Sequence, residues 1–231
     1  MNNKPSLLFI HGFMGSITDF YEIAEKLQNK FEIDYLEIPH HDLECNYNNA
    51  LEYFDSINLK YDYIVAYSMG GRIALWAAYL NKLHFKKMIL ESTSFGIENT
   101  NKRSIRLKAD LSLFDNIKNF NDFLMDWYSN PMWFNILEHP NYKEILNKKN
   151  DISNYKRSLE LFSVGIQPYL LPFAKQIKDK LFYIYGEHDQ KYKNIAIDSN
   201  IKSKEMKCCG HNTHFQDPTS FVNVILEQFD C

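Results

Sequence analysis

Tyr63-Ile64-Val65-Ala66-Tyr67-Ser68-Met69-Gly70-Gly71-Arg72, continued by Ile73-Ala74-Leu75-Trp76-Ala77-Ala78-Tyr79-Leu80, is the stretch that decides the fold. A short β-branched and aromatic run passes through one serine, flanked by small residues, into an Ala/Leu-rich segment whose apolar spacing is helical rather than alternating. The pattern is strand, tight corner, helix. A serine at such a corner needs small residues two before and two after it, because strand and helix backbones nearly touch there. Its hydroxyl is lifted clear of the sheet edge. A serine is also an ordinary helix N-cap, and Ala66 stands where a glycine is usual, so the rest of the chain must decide between the two readings.

The flanking sequence alternates in the same way. Ser6-Leu7-Leu8-Phe9-Ile10 is an apolar run of strand length ending in His11-Gly12-Phe13-Met14-Gly15-Ser16, and glycines after a buried parallel strand turn backbone N–H groups toward a ligand. Asp19 to Lys30 reads as an amphipathic helix, Ile33 to Ile38 as a strand stopped by Pro39, and Tyr47 to Asn58 as a helix. The helix after Ser68 runs to Leu83, and Lys87-Met88-Ile89-Leu90-Glu91 is a further strand. Strand–helix alternation of this kind predicts a parallel α/β sheet.

From Gly96 to about Ala174 the patterns are helical only, broken by Pro131, Pro140 and Pro168. Strands resume at Lys180 to Tyr185, leading into Gly186-Glu187-His188-Asp189, and again near Ser203 to Cys208, leading into Gly210-His211, before a closing helix from Pro218 to Phe229. The expected organisation is one domain over 1–231 with a helical cap inserted at about 96–174, because insertions at strand carboxyl ends overlie the ligand crevice.

Composition narrows the function classes. The 231 residues are 45% hydrophobic, enough for a full core, and 26 Lys+Arg against 29 Asp+Glu give a net charge of −3. No basic surplus speaks for a nucleic-acid partner. No apolar run approaches a membrane span, and Met1-Asn2-Asn3-Lys4-Pro5 leads into a strand without a signal-peptide core, so a cytoplasmic protein is expected. Cys45, Cys208, Cys209 and Cys231 lack metal-type spacing and read as reduced. His40-His41-Asp42 does not make a metal site, since adjacent histidines in an extended chain point opposite ways.

Ser68, Asp189 and His211 fall at strand carboxyl ends in the order serine, acid, histidine, which is the order of the α/β-hydrolase fold. Imidazole would take the serine proton, and the carboxylate would fix the imidazole tautomer. The N–H groups of Phe13 and Met69 would face a developing oxyanion. His214 is the rival base, disfavoured because His211 directly follows the turn glycine. Arg72, four residues after Ser68, shares its helical face. Arg103 and Arg106 open the insertion, and planar guanidinium groups grip carboxylates with two prongs, which points to a small substrate with several carboxylates. Arg157 reads as an exposed helix charge.

The motifs His11-Gly12-Phe13-Met14-Gly15-Ser16, Tyr67 to Arg72, Glu91-Ser92 with Arg103 and Arg106, Trp127-Tyr128, Gln167-Pro168, Gly186 to Tyr192 and Gly210-His211-Asn212-Thr213-His214 resemble those of the 2-succinyl-6-hydroxy-2,4-cyclohexadiene-1-carboxylate synthases of menaquinone biosynthesis. The likeness spans nearly the whole chain. It implies a cofactor-free lyase that eliminates pyruvate, with Ser68 acting as base through His211 and Asp189, Arg72 and Arg106 as carboxylate clamps, and Tyr67, Trp127 and Tyr128 shaping the pocket. Where that family often has a further arginine, this chain has Lys148-Lys149, so a lysine becomes the candidate third clamp. The alternative is a carboxylester or thioester hydrolase using the same triad covalently.

Overall fold

Ile10 lies beside Ala66 in a parallel strand pair, and that register puts the turn after the first strand next to the Ser68 corner. A computed structural model describes residues 4–38, 47–148 and 152–229 of the chain. In chain order the first half runs β1 (Ser6–Ile10), α1 (Tyr21–Leu27), β2 (Glu32–Leu36), α2 (Ala50–Ser56), β3 (Leu59–Lys60), β4 (Tyr63–Tyr67), α3 (Met69–Tyr79), β5 (Leu83–His84) and β6 (Lys87–Glu91). Between β6 and the next strand come α4 (Thr100–Leu111), α5 (Phe120–Tyr128), α6 (Tyr142–Leu146), α7 (Ile152–Phe162) and α8 (Leu171–Gln176). The chain closes with β7 (Leu181–Gly186), α9 (Gln190–Ser199), β8 (Ser203–Met206), α10 (Thr213–Gln216) and α11 (Pro218–Gln228).

Among the described residues six strands form one sheet in the order β2-β1-β4-β6-β7-β8, and every neighbouring pair is parallel. The strand residues divide by parity. Leu8, Ile10, Ile64, Ala66, Met88, Leu90, Tyr183 and Tyr185 join a core shared with α2, α3 and the inserted helices. Leu7, Phe9, Val65, Ile89, Phe182 and Ile184 join the opposite core, closed by Ile23 and Leu27 of α1 and Phe221 and Ile225 of α11. Burial on both faces is why these strands read as unbroken apolar runs.

Several boundaries differ from the sequence expectation, each for a local reason. The Asp19–Lys30 helix is a short 3-10 turn, Ile17–Phe20, followed by α1, and the Tyr47–Asn58 helix starts only after Asn49, whose side chain caps the Leu51 and Glu52 amides. The helix expected to reach Leu83 stops at Tyr79, because Asn81 takes a left-handed φ of 60°. That turn frees Leu83–His84 to pair with Leu59–Lys60 as a two-stranded ribbon too short for a sequence signal. β8 ends at Met206, since Cys208 has a positive φ of 56°. No helix among the described residues is long and apolar enough to cross a membrane. His40-His41-Asp42, Cys45, Lys149 and Cys231 lie outside the described residues.

Candidate active site

The corner at Ser68 has backbone angles φ 49° and ψ −108°, a strained left-handed conformation for a residue with a side chain. Its amide donates to the Glu91 carbonyl of β6 at 2.8 Å, so the neighbouring strand holds the bend. Gly70 is obligatory there: a Cβ on it would stand 2.2 Å from the His11 carbonyl oxygen. The close approach of α3 to the end of β1 thus fixes Ser68 against the Gly12–Phe13 turn.

Asp189 and His211 reach the same point from loops after β7 and β8. The His211 Nδ1 lies 2.6 Å from Asp189 Oδ2, and its Nε2 lies 3.0 Å from Ser68 Oγ. An ionised carboxylate only accepts, so Nδ1 carries the proton and Nε2 is left to accept from the serine hydroxyl. Both partners are buried, at 1% exposure for Asp189 and 2% for His211. Tyr192 and Tyr67 pack against the imidazole at tilted angles of 52° and 55°, with ring centroids at 4.5 and 5.4 Å.

Phe13 and Met69 flank Ser68 on the wall of a cavity of about 500 Å³. Met69 opens α3, so its N–H has no partner one turn earlier in the helix. In the Gly12–Gly15 turn the closing bond runs from the Gly15 amide to the Gly12 carbonyl and leaves the Phe13 amide unused by the turn itself. Such a pair of N–H groups can stabilise an oxygen that gains negative charge.

The arginines divide sharply. Arg72 is enclosed by protein but keeps part of its surface on the cavity wall. Its Nη1 donates to the Phe162 carbonyl at 2.7 Å and to Gln167 Oε1 at 3.1 Å, both neutral acceptors. Burial pulls its pKa down to about 10. A guanidinium held this way is under-compensated and is poised for an anion in the cavity. Arg106 also lines the cavity, with its Nε on Asp110 Oδ1 at 2.6 Å. Arg103 instead ties the insertion together through the Gly165 and Ile166 carbonyls, and Arg157, expected as an exposed helix charge, is half-buried and bridges Glu160 to the Tyr47 carbonyl.

Tyr67 and Trp127 line the cavity, whereas Tyr128 stands behind Trp133, with ring centroids 5.0 Å apart. Burial raises the hydroxyl pKa of both tyrosines. Lys148 points away from Ser68 and pairs with Asp19 at 3.5 Å in a separate recess. His214, the rival base, gives its Nδ1 to Glu91 at 2.6 Å and lies behind Tyr67, stacked on Phe20.

Three contacts escaped the sequence reading. Asp110 touches Arg106 at the i, i+4 helical spacing, a signal that was available. Gln167 stands among the motif residues of the sequence reading, but its role as acceptor for Arg72, like Trp133 as the cover over His211, is a contact between segments far apart in the chain with no local signal. A second cavity of about 370 Å³ sits at the amino-terminal end of the sheet between Lys87, Lys180 and Phe229, and holds no serine–histidine pair.

The sheet order, the strained serine corner and the Ser–His–Asp series at strand carboxyl ends define an α/β-hydrolase-fold protein. Among solved structures, MenH from S. aureus matches with a TM-score of 0.83 at 24% identity, covering 100% of this chain and 96% of that one. A hydrolase from Pseudomonas aeruginosa matches with a TM-score of 0.73 at 15% identity, covering 99% of this chain and 91% of that one. More particularly, the chain is similar along nearly its whole length to the curated 2-succinyl-6-hydroxy-2,4-cyclohexadiene-1-carboxylate synthases. That of Citrobacter koseri is 24% identical over 97% of this chain and 93% of the relative, and that of Yersinia pseudotuberculosis is 25% identical over 98% and 89%. No protein-family model matches the chain.

Proposed function

We propose that this protein eliminates pyruvate from 2-succinyl-5-enolpyruvyl-6-hydroxy-3-cyclohexene-1-carboxylate, giving 2-succinyl-6-hydroxy-2,4-cyclohexadiene-1-carboxylate. The observation that carries this reading is Arg72: a buried guanidinium on neutral acceptors, in the same cavity as Ser68 and His211, has use for a carboxylate substrate and none for a simple ester. The full-length likeness to relatives of that name supports it.

In this mechanism Ser68 Oγ takes the ring proton beside the succinyl ketone while its own proton passes to His211 Nε2. Asp189 stabilises the resulting imidazolium. The enolate oxygen is held by the Phe13 and Met69 amides. The electron pair then moves through the ring alkene and breaks the bond to the enolpyruvyl oxygen. His211 returns the proton to the departing enolpyruvate, which tautomerises to pyruvate. Arg72 and Arg106 hold carboxylates, and Tyr67 and Trp127 wall the ring. The acid–base cycle closes on side chains alone and requires no cofactor. The substrate is a small diffusible polyanion, and the reading carries a cytoplasmic location with it.

A covalent ester or thioester hydrolase is the second reading, favoured by the 3.0 Å Ser68–His211 contact, which would serve a nucleophile equally well. Incubating the purified protein with the enolpyruvyl cyclohexene acid, with pyruvate coupled to lactate dehydrogenase, tests the choice. Stoichiometric pyruvate release supports the lyase. Rapid nitrophenyl ester turnover with no pyruvate formed overturns it.

A further inference from the structure

A second histidine–carboxylate pair lies beside the first and takes no part in the chemistry above. Glu91 ends β6 and is fully buried, at 0% exposure. Three donors from one turn converge on its carboxylate: Thr213 Oγ1 at 2.7 Å, the His214 amide at 3.0 Å and His214 Nδ1 at 2.6 Å. Thr213 and His214 follow His211 by two and three residues, so Glu91 grips the very turn that carries the imidazole. The same residue accepts the Ser68 amide at its backbone carbonyl, at 2.8 Å, and its register partner in β4 is Tyr67, the residue before Ser68. One glutamate therefore holds the serine corner with its main chain and the histidine turn with its side chain.

The grip is stiff. His214 is clamped between Phe20, stacked at 4.6 Å, and Tyr67, edge-on at 4.8 Å, so the turn has little room to rotate about its tether. The location also argues for a task, because a buried carboxylate is costly unless its hydrogen bonds are made and no local fold rule requires an acid at the end of β6.

We propose that Glu91 is a positioning residue that sets the Ser68–His211 distance by anchoring both loops to one side of the sheet. The proposal rests on the Ser–His–Asp reading of the site but not on which substrate it takes. It predicts that loosening the tether slows proton transfer from Ser68 without altering what binds in the cavity.

The test is saturation labelling of the full-length protein by a fluorophosphonate probe. In that step Ser68 Oγ bonds to phosphorus, fluoride departs and the serine proton passes to His211. Wild type must first label at Ser68; if it does not, the triad reading and this proposal fall together, whereas absence of pyruvate release alone removes only the lyase reading. Glu91→Ala is expected to lower the maximal labelling rate roughly a hundredfold, the scale of an ångström-sized misplacement, with probe affinity unchanged. Glu91→Gln still accepts from Thr213 Oγ1 and the His214 amide, and is expected to recover the rate to within about tenfold of wild type. Should Glu91→Ala fail to fold, Thr213→Val removes one tether bond at nearly constant shape and is expected to slow labelling by about threefold or more. A wild-type maximal rate in a folded Glu91→Ala protein, or in Thr213→Val if the alanine variant is unfolded, overturns the proposal, as does weakened probe affinity at an unchanged maximal rate.

Discussion

The indole of Trp133 meets the imidazole of His211 edge-on, with ring centroids 5.1 Å apart and planes at 86°. The residue before it, Met132, accepts the His211 amide at 2.8 Å through its carbonyl. The helical segment between β6 and β7 is thus fastened to His211, and Gly210 has no side chain because a Cβ there would strike the Trp133 backbone at 2.6 Å. Trp133→Ala leaves the imidazole wetter and freer to turn. The expected result is a drop of about tenfold in kcat for pyruvate release, with destabilisation of about 3 kcal/mol by denaturant titration. A folded variant with unchanged kcat would show that the cover has no part in holding the base.

Asp189 fixes which imidazole nitrogen carries the proton. Asp189→Asn offers an amide that can donate to Nδ1, which drives the proton to Nε2 and removes the acceptor for the Ser68 hydroxyl. The expected fall in kcat is about 10⁴, with KM near wild type, measured by steady-state pyruvate release. A loss below tenfold would mean that His211 does not act through this hydrogen bond.

In the proposed reaction Arg72 holds a carboxylate, at an expected cost in stability. Its buried cation bonds to neutral oxygens, and burial already pulls its pKa down to about 10. Arg72→Gln keeps hydrogen bonding without the charge and is expected to raise the ligand-free Tm by a few degrees, a gain of about 1–2 kcal/mol. The same change should raise KM for the tricarboxylate substrate by a hundredfold or so, and Arg72→Lys should not restore it, because an ammonium lacks the two-pronged geometry. Kinetics at the wild-type level in either variant would remove Arg72 from the binding account.

Cys208 and Cys209 report on the loop that carries His211. Cys208 is exposed, whereas Cys209 is 1% exposed and burial pushes its thiol pKa up to about 12. At pH 8 almost none of Cys209 is thiolate, so iodoacetamide followed by peptide mapping should modify Cys208 long before Cys209. In Glu91→Ala the Cys209 rate should rise towards that of Cys208 as the turn loosens. Equal rates in the wild-type protein would mean that the loop opens without help.

The sequence alone determined the alternation of strand and helix and the placing of Ser68, Asp189 and His211 at strand ends, because both are written locally. Strands buried on two faces must be apolar throughout, and a strand–serine–helix corner must be flanked by small residues. Helix ends were less legible, since Asn81 stopped α3 through a left-handed turn that apolar spacing does not encode. Only the tertiary structure decided which arginine meets which partner. Arg72, Arg103, Arg106 and Arg157 are the same residue type, yet Arg72, Arg103 and Arg157 reach carbonyls of distant segments whereas Arg106 pairs within its own helix. It likewise turned Tyr128 behind Trp133, sent Lys148 to Asp19 and joined Glu91 to a turn 123 residues away. Contacts of that span follow from how layers pack over the sheet, a property of the folded chain that no window of sequence contains.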